Sequence, residues 1–167
     1  MKLTDYLAIY AAFLSTAVFL WNICQSRPRV KVDLIFGIEG TGDDLKSGVY
    51  IFVRNISSHE VHLANIDILY RYMTPRLTQR IGHIWRFKAW PTKLGWVHSS
   101  LDYFAIESGC PINLEANKSH KIFIPELIAE KMLEKGIDRS LMAGVQDELW
   151  RNVYSKVFVY SLPSSNT

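Results

Sequence analysis

The feature that most constrains this chain is an uncharged, apolar run near its N-terminus. The run YLAIYAAFLSTAVFLWNIC, residues 6–24, contains only three polar residues, Ser15, Thr16 and Asn22. As an α-helix of 19 residues it would extend for about 28 Å, close to the bilayer's hydrocarbon thickness of about 30 Å. We therefore predict a transmembrane anchor over residues 1–26.

Three other kinds of segment share this composition. A cleaved signal peptide begins with a stronger positive charge than Lys2 opposed by Asp5, and it ends in a small-residue cleavage site of the A-x-A kind, which LWNICQS lacks. A lipoprotein signal needs small residues before its cysteine, and WNIC has none. A buried core helix is shorter or carries a polar face. A single retained transmembrane helix therefore fits this run best.

The charges that flank the run predict its orientation. Lys2 and Asp5 cancel before the helix, whereas Arg27, Arg29 and Lys31 follow it closely. The positive-inside rule then places the N-terminus outside and the rest of the chain in the cytoplasm. We expect a single-pass protein of the inner cell membrane with a cytoplasmic C-terminal domain.

Small residues form a row along the predicted membrane helix. Ala8, Ala12 and Thr16 recur every four positions, a spacing that lets transmembrane helices approach closely. The ordinary frequency of alanine in a short helix explains the row equally well. Self-association of copies through this face is a hypothesis that cross-linking would test.

Beyond the membrane run, the sequence has the alternation of β-strands. Apolar residues alternate in VKVDLIF, YIFVRN, VHLANIDILYRY and SHKIFIP, and shorter strands are expected at GHIWRFKAW, GWVHSSL, CPINLEA and NVYSKVFVYSL. The predicted fold class is mainly β (α+β), an antiparallel β-sandwich with one or two helices. We place this domain at residues 27–162 and a flexible tail at residues 163–167.

Two helices are predicted within this domain. PELIAEKMLEKG has Pro125 suited to a first turn and Gly136 suited to a stop. In DRSLMAGVQDELW, the residues Leu141, Val145 and Leu149 are spaced to line one face of a helix.

The sequence lacks the motifs of known catalytic and metal sites. His59 and His62 in HEVH are three positions apart, whereas the zinc-protease motif needs two histidines four apart on one helix face. His83, His98 and His120 have no cysteine or carboxylate clustered at metal-ligand spacing. We expect a protein that is not an enzyme and that uses neither a cofactor nor a metal.

One segment concentrates positive charge and tryptophan. No carboxylate lies between Asp67 and Asp102, so this window carries +6 while the rest of the chain sums to −3. Arginine and lysine pair with phosphates, and aromatic rings stack on nucleobases. We predict ligand-binding residues at Arg71, Arg76, Arg80, His83, Arg86, Lys88, Trp90, Lys93 and Trp96.

The stretch HIWRFKAW, interpreted as a strand, divides into two faces. Trp85 and Phe87 would then face the core, while Arg86, Lys88 and Trp90 would form a basic surface that ends in an aromatic ring. A run of charge is also a common feature of loops that are simply solvated.

The order of segments after the membrane run resembles small bacterial bitopic proteins, in which a membrane helix precedes an immunoglobulin-like β-sandwich. The matching features are a strand ending in V-R-N, an L-E-A-N-K-S turn before a strand, and a closing strand VYSKVFVYSL. The segment from Tyr72 to Leu101 departs from that pattern because it is long, basic and rich in tryptophan. The layout is also similar to membrane effectors of bacterial antiviral signalling, including those of type III CRISPR systems.

This resemblance implies a sensor whose cytoplasmic domain binds a cyclic oligoadenylate-like messenger. The subunits of a homo-oligomer, such as a tetramer, would then rearrange their membrane helices and act on the lipid bilayer in antiviral defence. Two alternatives stay open. The basic aromatic patch would dock anionic lipid or a protein partner, as in a membrane-surface adaptor, or the chain would be a structural subunit without a small ligand. A lipid-binding patch is expected near the point where the chain leaves the membrane.

Overall fold

A computed structural model describes residues 3–25, 29–42, 44–88 and 93–160. Its first element is helix α1, Leu3–Gln25, within which Thr4–Ile23 is long and apolar enough to cross a membrane. The side chains of residues 4–23 are all exposed. The predicted N-terminal apolar helix is therefore present, and none of residues 4–23 is buried against the rest of the chain.

The rest of the chain is mainly β. The strands in chain order are β1 (Val30–Glu39), β2 (Lys46–Asn55), β3 (Val61–Arg71), β4 (Trp96–Ser100), β5 (Ile112–Leu114), β6 (Ser119–Pro125), β7 (Ser140–Asp147), β8 (Asn152–Tyr154) and β9 (Phe158–Val159). The remaining helices are α2 (Leu77–Phe87), α3 (Glu126–Leu133) and a 3-10 turn at Leu101–Phe104.

The strands form two antiparallel sheets. The first sheet has the order β1-β2-β6, and the second has the order β4-β3-β7-β8, with β5 added to β3 and β9 added to β7. Apolar side chains from both sheets meet in one buried cluster. The predicted fold class, mainly β with a sandwich-like pair of sheets and a small number of helices, is confirmed.

The core lies between the two sheets because alternate residues of each strand point inward. Burying an aliphatic side chain of this size stabilises the fold by about 1.5–3 kcal/mol. The fully buried residues include Val49, Ile51, Val53, Ile66, Ile68, Leu101, Ile124, Met132 and Leu141.

An irregularity in β3 decides which of its residues face outward. The pairing of β3 with β7 shifts register between Leu63 and Asn65. After the shift Ile68 belongs to the main buried cluster, whereas Leu69 is fully buried outside that cluster. Leu69 therefore belongs to the outer face of the second sheet.

The strand predicted at GHIWRFKAW is wrong, because this stretch lies largely in helix α2. Leu77, Ile81 and Trp85 recur every four residues, which is a helical period, and the local alternation around Trp85 concealed it. The core positions predicted for Trp85 and Phe87 are also wrong, since these side chains are 85% and 61% exposed.

The helix predicted at DRSLMAGVQDELW is wrong as well, because this stretch forms strand β7 and the turn after it. A spacing of four is even, so Leu141 and Val145 share one face of a strand as readily as one face of a helix. Ser140 through Val145 are all buried, as expected for a strand inside a sheet. Leu149 lies in the exposed turn.

Two further predictions have different outcomes. The helix predicted at PELIAEKMLEKG is confirmed as α3. The strand predicted at NVYSKVFVYSL is divided into two short strands, β8 and β9. Between them Ser155 binds Ala143 twice: the Ser155 backbone N–H donates to Ala143 O (2.8 Å), and the Ser155 side-chain oxygen accepts from the N–H of Ala143 (2.9 Å).

Candidate anion-binding surface

Helix α2 exposes its apolar side instead of burying it. Leu77, Ile81 and Trp85 lie four residues apart on one side of the helix and are 76%, 57% and 85% exposed. No residue of α2 is buried. A surface helix ordinarily turns such a stripe toward the core. The stripe of α2 can instead contact a molecule or surface outside the domain.

Cations surround this stripe. Arg76, Arg80, Arg86 and Lys88 are all exposed. Among the residues that the structure describes, none of the four forms an ion pair with a carboxylate. At about 100° of rotation per residue, Arg80 borders the stripe beside Leu77, whereas Arg86 lies toward the opposite side of α2. Lys88 directly follows the last residue of α2, at the end of the helix that carries Trp85. The charge of this helix is therefore not neutralised within the described chain.

The polar side of α2 borders an open cleft of about 420 Å³. The Nδ1 atom of His83 is buried there and has no hydrogen-bond partner among the described residues. The His83 ring lies 4.7 Å from the ring of Phe87, and the Arg86 guanidinium lies 5.8 Å from the centre of that same ring. The residues that line the cleft include Met73, Gln79, His83, Arg86, Phe87 and Leu94.

This cleft combines groups that suit one nucleotide unit, a phosphate with its base. Arg86 supplies a guanidinium fork for a phosphate, and Phe87 with His83 supplies ring faces for a base. The side-chain oxygen of Gln79 accepts from the backbone N–H of Arg76 (3.0 Å), which fixes the start of the helix.

Three further predicted site residues, Arg71, Lys93 and Trp96, lie on the outer face of the second sheet and contact other parts of the chain. Arg71 forms an ion pair with Asp138 (3.0 Å), and its guanidinium carbon lies 5.3 Å from the Trp96 ring centre. Lys93 Nζ lies 4.0 Å from the centre of the Tyr154 ring, and burial lowers the pKa of Lys93. These contacts show that Arg71, Lys93 and Trp96 interact with other residues of the chain and stabilise the fold.

Two apolar residues on this outer face, Leu69 and Met142, are buried beside Lys93 and Tyr154. Leu69 pairs with Met142 across β3 and β7, and Lys93 Nζ lies 2.9 Å from Met142 Sδ. Gly144 leaves room here, since a side chain at that position would begin 3.1 Å from both Leu69 and Tyr154. The Lys93 side chain is thus held against the outer face of the second sheet.

The nine predicted ligand-binding residues fall into three sets. Arg76, Arg80, His83, Arg86 and Lys88 belong to α2 and its ends, whereas Arg71, Lys93 and Trp96 belong to the sheet surface. Trp90 lies outside the described residues. The sequence interpretation missed the apolar stripe, although the four-residue spacing of Leu77, Ile81 and Trp85 would have revealed it.

Helix α2 lies far from the place where the chain enters the domain. The oxygen of Arg29 accepts from the N–H of Ile56 (2.9 Å), beside the end of the sandwich where β3 begins. Strand β3 then runs from Val61 to Arg71, a distance of about 30 Å at about 3.3 Å per residue. The start of α2 is therefore separated from Arg29 by about the length of the sandwich.

The small-residue row is present on α1. Ala8, Ala12 and Thr16 are exposed, and the Thr16 hydroxyl donates to Ala12 O (2.8 Å). Because this polar group is satisfied within its own helix, it adds no unsatisfied donor to the exposed face.

The described residues form no cluster of three or more histidine, cysteine, aspartate or glutamate side chains suited to a metal. Burial raises the pKa of the Cys110 thiol to about 11. A thiol of this kind is mostly protonated at neutral pH, which disfavours a nucleophilic role.

Comparisons with known proteins give little further information. No protein-family model matches the chain, and no curated protein matches it. Among solved structures, it is similar to one described as "X-ray structure of Northeast Structural Genomics Consortium target SoR45". The two chains share 12% identity with a TM-score of 0.37, and the match covers 84% of this chain and 91% of that one. A similarity of this strength carries no argument about function.

Proposed function

We propose that this protein is a non-enzymatic, membrane-anchored receptor for a phosphate-bearing anion, with α2 as the receptor surface. The observation that carries the proposal is the set of four cations on α2, which no carboxylate of the described chain neutralises. Such exposed cations attract anions and orient them before contact. A cluster of this kind inside an acid-free window is suited to binding.

The anchor in this proposal is α1. Its apolar span, Thr4–Ile23, would cross the inner membrane once. The basic residues that follow it favour a cytoplasmic domain and an external N-terminus.

The ligand we propose is a cyclic oligoadenylate-like nucleotide that reaches the cleft beside α2. Arg86 would pair with a phosphate, while Phe87 and His83 would contact a base. The cleft lies on the side of α2 opposite the apolar stripe and is open, so a ligand could reach it from solution. Binding would rearrange a homo-oligomer, such as a tetramer, and so act on the membrane helices, with a role in antiviral defence.

A second candidate function is that of a membrane-surface adaptor. The observation that favours it is the outward apolar stripe of α2, because a nucleotide in the cleft would not need Leu77, Ile81 or Trp85 to be exposed. The patch would then dock anionic lipid or a protein partner.

Direct binding measurements test the receptor function. The full-length chain in neutral-lipid nanodiscs is titrated with cyclic oligoadenylates and with adenosine, which lacks phosphate. We expect the phosphorylated ligands alone to bind, and we expect charge reversal at Arg80 and Arg86 to abolish binding without affecting membrane insertion. Arg86→Glu alone should weaken binding at least about tenfold, because it replaces the proposed phosphate partner with a like charge.

The matched control is Arg151→Glu, since Arg151 is an exposed arginine in the turn between β7 and β8, away from α2. The control should bind as the unchanged protein does. Equal loss in Arg86→Glu and Arg151→Glu would show a nonspecific effect of charge. Unchanged affinity in the Arg80 and Arg86 double variant would place the site elsewhere.

A further inference from the structure

We infer that the outward face of α2 docks on the anionic surface of the same bilayer in which α1 is anchored. This inference rests on the proposed function in one respect, that the domain is membrane-anchored and cytoplasmic. It concerns the side of α2 opposite the cleft, so it requires no ligand. The docking surface consists of Leu77, Ile81 and Trp85 with the flanking Arg80 and Lys88.

The composition of this surface matches that of helices that lie in a membrane interface. Such helices carry tryptophan and leucine on one side and lysine and arginine on the other, and they insert the apolar side at the boundary between headgroups and acyl chains. Trp85 at 85% exposure and Leu77 at 76% supply an interfacial ring and an aliphatic anchor. The domain itself leaves both side chains uncovered.

The charges beside the stripe favour anionic lipid as the occupant. Arg80 borders the apolar side, Arg76 and Lys88 lie at the two ends of the helix, and no acid lies between Asp67 and Asp102. Each cation near an anionic surface raises the affinity about fivefold. A neutral apolar partner would gain nothing from these cations.

The same charges disfavour a second copy of this chain as the occupant. Two α2 helices paired through their stripes would bring Arg80 and Lys88 of one copy close to those of the other. Like charges placed opposite one another across an interface oppose association. An anionic bilayer brings no such repulsion.

The position of α2 is compatible with contact to the bilayer. Lys93 contacts Tyr154 on the outer face of the second sheet, and Gly95 O accepts from the N–H groups of Tyr72 (2.8 Å) and Met73 (3.2 Å). Met73 and Leu94, on either side of these contacts, line the same cleft as α2. α2 is therefore held on that side of the sandwich. If this side faces the bilayer, the separation of about 30 Å from the entry of the chain runs along the membrane instead of away from it.

Site-specific fluorescence tests the docking. In a background with Cys24→Ser and Cys110→Ser, an environment-sensitive probe is attached after Ile81→Cys or, separately, Leu77→Cys. The full-length protein is placed in nanodiscs of phosphatidylcholine alone or of phosphatidylcholine with phosphatidylglycerol. We expect a blue-shifted emission and quenching by brominated acyl chains at both positions in the anionic nanodiscs only.

The matched control is a probe attached after Leu45→Cys, because Leu45 is 62% exposed, comparable to Leu77, but lies in the turn between β1 and β2, at the end of the first sheet away from Arg29. It should remain in water in both lipids. Arg80→Glu with Lys88→Glu should weaken the docking of the α2 probes about 25-fold or more, and 0.5 M salt should act in the same direction.

Several outcomes would overturn the inference. Probes at positions 77 and 81 that stay in water in anionic nanodiscs would do so, as would equal burial in neutral and anionic lipid. A disulfide between Ile81→Cys residues of two copies, formed in place of lipid quenching, would assign the face to a second copy. Nucleotide binding measured on the same proteins in neutral nanodiscs reports separately on the receptor function.

Discussion

Asn55 shows how much of this fold depends on single polar side chains. It is 1% exposed, and its amide nitrogen donates to the oxygens of His59 (2.7 Å), Leu114 (2.9 Å) and Glu115 (3.1 Å). Its side-chain oxygen accepts from the N–H of Ser57 (3.0 Å). One residue of the first sheet thereby connects to the edge of the second, beside the point where the chain enters the domain.

Replacing this side chain should destabilise the domain markedly. Asn55→Ala leaves several buried backbone groups without partners, and we expect a loss of about 2–3 kcal/mol in the free energy of unfolding. Denaturant unfolding of the full chain, followed by tryptophan fluorescence, measures the loss. Asn152→Ala, at an exposed position in β8, should change stability by less than about 0.5 kcal/mol. Equal effects of the two substitutions would contradict this account of Asn55.

The sequence predicts only part of what single residues do. The cationic character of α2 follows from an acid-free window that is visible in the sequence. The engagement of Arg71 with Asp138 and of Lys93 with Tyr154 does not, because both contacts join residues far apart in the chain. A run of positive charge therefore indicates a basic surface, but it does not show which of the cations are already in contact with other residues of the chain.

At the scale of elements, the two glycines Gly48 and Gly82 should respond in opposite ways to alanine. A side chain on Gly48, in β2, would begin 2.2 Å from Ile124 O of the neighbouring strand, whereas one on Gly82, in α2, would meet nothing within 4 Å. We expect Gly48→Ala to cost about 2–3 kcal/mol of stability. Gly82→Ala should instead stabilise α2 by about 1 kcal/mol, because glycine is a poor residue inside a helix.

Local measurements separate these two effects. Since α2 buries none of its residues, the stabilisation by Gly82→Ala should appear as roughly fivefold slower hydrogen exchange of the α2 amides, with little change in global unfolding. If residues 82–90 formed a strand instead, Gly82→Ala would not slow the exchange of the amides of residues 81–87.

The two errors in predicting elements have a common physical cause. Helix α2 was interpreted as a strand and strand β7 as a helix because short apolar runs satisfy both periods. Leu141 and Val145 are four apart, which fits a helix turn and also one face of a strand. This stretch is a strand because it is buried between β3 on one side and β8 and β9 on the other, and that position exists only in the assembled sheet.

At the scale of the whole molecule, the mainly β fold with an apolar N-terminal helix could be predicted from the sequence. The alternation of the strands and the length of the apolar run are local patterns. The separation of α2 from the entry of the chain could not be predicted, because it depends on the direction and length of β3 within the sheet. Because of this separation, α2 can contact the bilayer only where the outer face of the second sheet lies along the membrane.

We propose that the chain crosses the membrane once and presents α2 to the cytoplasm. The most direct test of this topology is labelling with a membrane-impermeant maleimide in bacterial cells that express the full chain with Cys24→Ser and Cys110→Ser. The thiol introduced by Thr78→Cys, at an exposed position on α2, should be labelled only after the inner membrane is permeabilised. A thiol introduced by Lys2→Cys should be labelled once the outer membrane is opened. Labelling of Thr78→Cys with the inner membrane intact, or release of the protein from membranes by alkaline carbonate, would contradict the claim.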